Sequence, residues 1–149
     1  MKVYLDNAAT TPMDPLVLDA MLPFMKESFG NPSSTHAFGR KTKNALEMER
    51  KKVADYLNAE PGEIIFTSGG TEADNMALRC AVMDLGVKRI ITSSIEHHAV
   101  GHTATHLRDH FNVSVELVKL TENGHVDLGH LEELLADQSK KTIVSLMHG

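Results

Sequence analysis

Ile64-Ile65-Phe66-Thr67-Ser68-Gly69-Gly70-Thr71-Glu72 is the stretch on which the reading of this chain turns. A short, unbroken apolar run is what a strand buried on both faces of a parallel sheet requires. Here it feeds a Ser-Gly-Gly-Thr turn and then a helix expected over Thr71 to Leu85, closed by Gly86. Unpaired N–H groups at a helix start, together with the positive end of its dipole, suit an anion such as phosphate, and glycine lets the backbone approach it closely. The Thr71 hydroxyl offers a further donor. The plain alternative is a tight strand-to-helix turn with a hydroxyl cap and no ligand. A dinucleotide fingerprint is excluded: no third glycine follows at the needed offset, and Glu72 stands where a pyrophosphate would lie.

Downstream the same alternation repeats. Arg89-Ile90-Ile91-Thr92 is expected as a strand, about His98 to His110 as a helix, and Val113 to Leu117 as an alternating strand. Asn123-Gly124 marks a turn, Asp127 caps a helix carrying Leu128, Leu131 and Leu135, and Thr142 to Met147 forms a last apolar strand. Upstream, Val3-Tyr4-Leu5 suggests a short strand before a proline-closed loop. Asp14-Pro15 then starts a helix bearing Leu18, Met21, Leu22 and Met25, which Pro23 should kink or shorten. Gly30-Asn31-Pro32-Ser33-Ser34 ends it, and a second helix spans about Phe38 to Leu57 before Pro61-Gly62. Strands alternating with helices of these lengths indicate an α/β fold with a mainly parallel sheet and flanking helices. The expected organisation is an N-terminal arm over 1–14 and one domain over 15–149. Because His148-Gly149 follows directly on an apolar strand, that domain is expected to be truncated.

The composition fits one ordinary domain: 149 residues, 42% hydrophobic, formal net charge −5. A chain of this length buries roughly 68–70% of its unfolded surface, so no disulfide staple is needed. The single cysteine, Cys80, excludes an internal disulfide framework and suits a reducing, cytosolic compartment. The scattered basic residues lack the surplus that nucleic acid demands, and no apolar run approaches a membrane span. Cys80 falls beside Ala77 and Ala81 in an apparent apolar stripe, where it acts as a small hydrophobe with no assigned catalysis. Most of the eight methionines fall on helix stripes too, the usual core position.

Two histidine patterns bear on chemistry. Ser93-Ser94-Ile95-Glu96-His97-His98 follows a strand, and ligands of open α/β sheets bind outside the carboxyl ends of strands. This loop and the Ser68–Thr71 turn are therefore candidates to face one crevice. There, His97 can stack on an aromatic cofactor and move protons, or simply belong to a helix-capping loop. His98, His102, His106 and His110 recur every four residues, a spacing that can chelate a transition metal. However, Val100, Thr103, Ala104, Leu107 and Phe111 form the apolar stripe of the same helix, which turns the histidines to solvent. No carboxylate or second shell accompanies them, so no metal is expected.

Tyr4-Leu5-Asp6-Asn7-Ala8-Ala9-Thr10-Thr11-Pro12, Phe29-Gly30-Asn31-Pro32-Ser33-Ser34 with His36, the Ile65–Glu72 block with Asn75, and Glu96-His97 before Ala99-Val100 together resemble one family. They are similar, in order and over essentially the whole chain, to the N-terminal part of the cysteine desulfurases of iron–sulfur cluster assembly and nitrogen fixation. These are class V aminotransferase-like enzymes. The resemblance implies an aspartate-aminotransferase-type fold, here a partial large domain, with pyridoxal 5′-phosphate (PLP) as cofactor. It places the PLP phosphate on Gly70 and Thr71, and His97 over the pyridine ring as a proton carrier. It further implies conversion of L-cysteine to L-alanine, sulfur leaving as an enzyme persulfide for an iron–sulfur scaffold or other acceptor protein, and a homodimer. The family's Schiff-base lysine, nucleophilic cysteine and other cofactor contacts have no match in these 149 residues, so this piece alone is expected to be inactive. A related PLP enzyme, a selenocysteine lyase or a cysteine sulfinate desulfinase, fits the same residues. So does a non-catalytic phosphate-binding module.

Overall fold

The computed structural model describes residues 1–148, so Gly149, the last residue of the expected 15–149 domain, lies outside the described residues. The chain divides into two compact units, residues 1–65 and 66–149.

In the first unit, α1 (Pro15–Lys26) begins at Asp14, whose carboxylate accepts the Leu16 N–H at 2.8 Å. Pro23 does not end this helix. It sits where only the bond to the preceding turn is lost, and its own carbonyl accepts the Glu27 N–H. α2 (Ala37–Leu57) is capped by the His36 ring, which accepts from the Gly39 N–H, and closed by Asn58 in the left-handed conformation, φ 52°. The turn between them is tight. A Cβ at Gly39 would lie 2.3 Å from the Ser34 carbonyl oxygen, and one at Gly30 would lie 2.4 Å from that of Phe38, so both positions require glycine. Only Gly39 and Ala54 are buried in this unit.

Two expected strands do not form. Residues 3–5 are an exposed arm whose chain turns at Asp6, the Asp6 carbonyl accepting from Ala9 and Thr10. Ile64–Phe66 belongs to no strand: Ile64 is extended, but its N–H donates to the Pro61 carbonyl across the 3₁₀ turn Pro61–Glu63, and its carbonyl accepts from Arg50 Nη1. Both backbone groups of Ile64 are thus engaged outside any sheet, and a strand exists only through its partners.

The second unit carries the α/β core. Its elements are α3 (Gly70–Met83), β1 (Arg89–Thr92), α4 (His98–Phe111), β2 (Ser114–Leu117), α5 (Leu128–Ala136) and β3 (Thr142–Val144). The sheet runs β2-β1-β3, wholly parallel, with Ile90 opposite Val115 and Ile143. β3 is shorter than the expected Thr142–Met147 because beyond Val144 the backbone bonds Ile91 O through Ser145 and then a side chain. Every residue of β1 is buried. Against it pack Leu78, Ala81 and Val82 of α3 and Val100, Ala104 and Leu107 of α4, with Val87 and Val113 completing the cluster. Burying Ile90 or Leu107 contributes about 1.5–3 kcal/mol each. Gly86, at φ 71°, turns the chain out of α3 as Leu85 and Val87 return N–H bonds to Cys80 and Ala81.

Two expectations about side chains are corrected. Cys80 is exposed, because α3 turns Leu78, Ala81 and Val82 inward instead of the Ala77–Cys80 edge. The hydrogen bond to Asp84 chiefly, with some burial and the carboxylate's charge, holds the Cys80 thiol above its ordinary range. Nor are the methionines core residues: all but the half-buried Met76 are exposed, Met21, Met25, Met48 and Met83 on helix faces uncovered among the described residues and Met1, Met13 and Met147 outside the helices.

Candidate functional site

Arg89 anchors the base of the sheet. It is 2% exposed, its Nε donates to Thr142 Oγ1 at 2.8 Å, and its guanidinium reaches the Asp137 carboxylate at 3.2 Å and the Asp137 carbonyl at 2.5 Å. This clip fixes β1 against β3 and the end of α5, so the carboxyl end of β1 is held in a defined place. There, Ser93 and Glu96 shape the loop leading to His97. The Ser93 hydroxyl donates to Glu96 Oε1 at 2.7 Å, and the same oxygen accepts the Met147 N–H at 2.9 Å. Glu96 thus ties the His97 loop to the segment following β3, a role that no local pattern announced. Beside this loop, the Thr92 hydroxyl is buried without a partner among the described residues.

His97 is the N-cap of α4. Its Nδ1 accepts the Ala99 N–H at 3.1 Å, which selects the tautomer carrying its proton on Nε2 and leaves that nitrogen as the exchangeable position. The ring is oriented by the helix it caps.

α3 starts differently. Its N-cap, Gly69, offers no side chain, and the Gly69 backbone is extended, φ 165°. The first N–H groups of the helix have no intrahelical acceptor by geometry. A Cβ at Gly69 or Gly70 would meet nothing within 4 Å, so no neighbouring atom crowds the Cβ side of either glycine. The turn is braced by Glu72, which accepts the Ser68 N–H at 2.6 Å and the Ser68 hydroxyl at 2.7 Å, and these bonds together hold its carboxyl below the usual glutamate range. The carboxylate is thereby bound to Ser68, a geometry that the order of residues did not disclose. These features suit the phosphate of PLP: free donors, no occluding side chain and a threonine hydroxyl at the mouth.

Thr71 and His97, 26 positions apart in sequence, line one cavity of about 360 Å³ between α3 and α4, together with Asn75, Arg79, His98 and His102. Gly70 immediately precedes Thr71 as the first residue of α3 and does not line the cavity. His98, His102 and His110 are exposed and His106 partly so, but His98, His102 and His106 border the cavity beside α3 instead of facing away from it as the helical stripe suggested. The rings of His98 and His102 lie 5.0 Å apart and those of His106 and His110 4.4 Å apart. Among the described residues no group of three or more His, Cys, Asp or Glu side chains is placed to hold a metal ion. Nor is any described helix long and apolar enough to cross a membrane.

A family model described as aminotransferase class-V matches residues 3–149. The cysteine desulfurase IscS of Dictyoglomus turgidum is 44% identical over 149 residues, spanning 99% of this chain and 37% of that protein. The cysteine desulfurase IscS of Methanosarcina thermophila is 47% identical over 148 residues, spanning 97% of this chain and 36% of that protein. Among solved structures, a NifS-like protein superposes with a TM-score of 0.87 at 39% identity, over 99% of this chain and 40% of the other. DndA from Streptomyces lividans gives 0.77 at 39% identity, over 98% and 41%. The chain therefore spans about two fifths of the length of the relatives it matches.

Proposed function

The chain belongs to the aminotransferase class-V family, and from that premise we propose that its residues hold pyridoxal 5′-phosphate in a cysteine desulfurase. The reaction is the conversion of L-cysteine to L-alanine, with the sulfur carried away as an enzyme persulfide to an iron–sulfur scaffold or another acceptor protein. Residues 15–149 form the N-terminal part of the large, PLP-binding domain and 1–14 its arm. The working protein is a cytosolic homodimer. When bound, PLP supplies an electron sink for the substrate carbons.

This chain's own residues bind and orient. The N–H groups at Gly70 and Thr71 and the Thr71 hydroxyl hold the phosphate, with the α3 dipole favouring its charge. Glu72, bound to Ser68, keeps that turn in shape while its own charge is engaged by the Ser68 N–H and hydroxyl. The His97 ring, fixed through Nδ1, lies against the pyridine face and holds or passes a proton at Nε2.

The observation that carries the reading is the shared cavity: an uncapped helix start with Thr71 at one point and a helix-oriented His97 at another. Titrating PLP into the protein, followed by absorbance, tests it with Thr71→Val and His97→Ala. Each variant is expected to weaken PLP by about tenfold or more, the loss of a charge-assisted hydrogen bond or of ring stacking. Unchanged affinity in both variants overturns the assignment. Borohydride reduction followed by intact mass separates the enzyme from the non-catalytic alternative: a pyridoxyl adduct marks a PLP enzyme, whereas saturable binding that leaves no adduct marks a phosphate-binding module.

A further inference from the structure

The two halves of the proposed site stand on different helices, and one side chain joins them. The Asn75 carboxamide nitrogen donates to the Thr71 carbonyl at 2.8 Å, within the first turn of α3, and reaches the Ala99 carbonyl of α4 at 3.5 Å. Its oxygen accepts the Thr103 hydroxyl at 2.6 Å, and Thr103 is 4% exposed. Thr71 is the phosphate-side residue and Ala99 is the residue whose N–H fixes the His97 ring. Asn75 therefore touches the backbone on both sides of the cavity that it lines. The position demands two donors and one acceptor in one plane, which a carboxamide alone provides. Aspartate would turn a second acceptor toward the two carbonyls. An apolar side chain would strand the Thr103 hydroxyl in a buried place, where an unmade bond costs more than a made one gains.

Resting on the cofactor assignment above, we infer that Asn75, locked by Thr103, is a positioning residue that sets the phosphate turn of α3 at a fixed separation from the His97 ring. The physical basis is that a rigid ligand gripped at two points gains affinity only when those points match its own dimensions. Inorganic phosphate, which engages the α3 turn alone, is indifferent to that separation. PLP is not.

The experiment compares the two ligands on the full-length protein: PLP by absorbance and inorganic phosphate by ³¹P NMR titration, in Asn75→Leu, Asn75→Asp, Thr103→Val and Thr103→Ser. Asn75→Leu and Thr103→Val are expected to weaken PLP at least about fivefold, the lower end of ordinary site-to-site coupling, while phosphate affinity stays within about twofold. Asn75→Asp is expected to follow Asn75→Leu. Thr103→Ser, which keeps the hydroxyl, restores PLP binding. Parallel loss of both ligands, or no loss of either, overturns the inference, the first because it marks general damage to the helix pair. Thr103→Val removes only the donor and gives the decision should Asn75→Leu fail to fold. Thr71→Val and His97→Ala are run alongside. If both bind PLP as the parent does, the cofactor assignment fails and takes this inference with it; if they weaken PLP and the Asn75 and Thr103 variants do not, only the positioning role is lost.

Discussion

α3 and α4 border one cavity, through Thr71 and His97 respectively, and their N-termini are finished in opposite ways. α4 spends its terminus on its own chain, with His97 Nδ1 accepting from Ala99 and the ring held as a result. α3 has no side-chain cap at Gly69, whereas Asp14, His36 and Asp127 cap α1, α2 and α5. The same unpaired donors are used in one helix to orient a ring and are left open in the other for an anion. A capped terminus gains stability and an open one gains a binding site; the two ends of this cavity divide those gains.

Filling the open end tests the comparison most severely. Gly69 is extended and its Cβ direction is empty, so Gly69→Asp is accommodated without strain. It should raise thermal stability slightly, by a few tenths of a kcal/mol, as a carboxylate caps the helix. It should also weaken PLP and inorganic phosphate by about tenfold, because that carboxylate occupies their donors. Stability and affinity, measured on one preparation by melting and titration, must move in opposite directions; if they do not, α3 is an ordinary helix start.

The capped end sharpens the comparison by separating cap from ring. His97→Ala should lose both, costing about 1 kcal/mol in denaturant unfolding. His97→Asn keeps a good capping oxygen and should hold parental stability while PLP binding falls as in the alanine variant. An asparagine variant as unstable as the alanine one would mean that the ring packs rather than caps.

The smallest effect belongs to the Glu72 brace of the open turn. Glu72 has a folded pKa below its ordinary value, so its contribution is fully present above the unfolded value, about 4.3, and is lost as pH falls through the lower, folded one. Melting curves of the parent and Glu72→Gln should differ near neutral pH and converge under acid. A difference that persists in acid would assign the brace to shape instead of charge.

Legibility in the sequence followed distance along the chain. The α4 stripe was readable because Val100, Thr103, Ala104 and Leu107 repeat at helical spacing and all are buried. The Asn123-Gly124 turn was readable from its own chemistry, with Gly124 at φ 79°. α3 misled at Cys80 because alanines populate both sides of the helix, and because the face toward α4 carries a polar residue, Asn75, which a search for apolar periodicity passes over. Ile64–Phe66 misled because an apolar triplet states a tendency to pair and not whether a neighbour stands beside it. Arg89 was hidden for a related reason: a charge in a central strand looks like an edge until its partners arrive from α5 and β3.

The residue order alone determined where helices start and stop, the alternation that makes a parallel sheet, and the glycine turn that opens α3, since each depends on groups within about four positions of one another. Tertiary structure alone decided which groups meet across the fold. The Thr103–Asn75 bond joins residues 28 apart, Arg89 reaches Asp137 at 48, and Met147 meets Glu96 at 51. Such pairs exist only once the helices and strands that carry them have packed together, because their geometry is fixed by the shared core and by no interaction within a single segment.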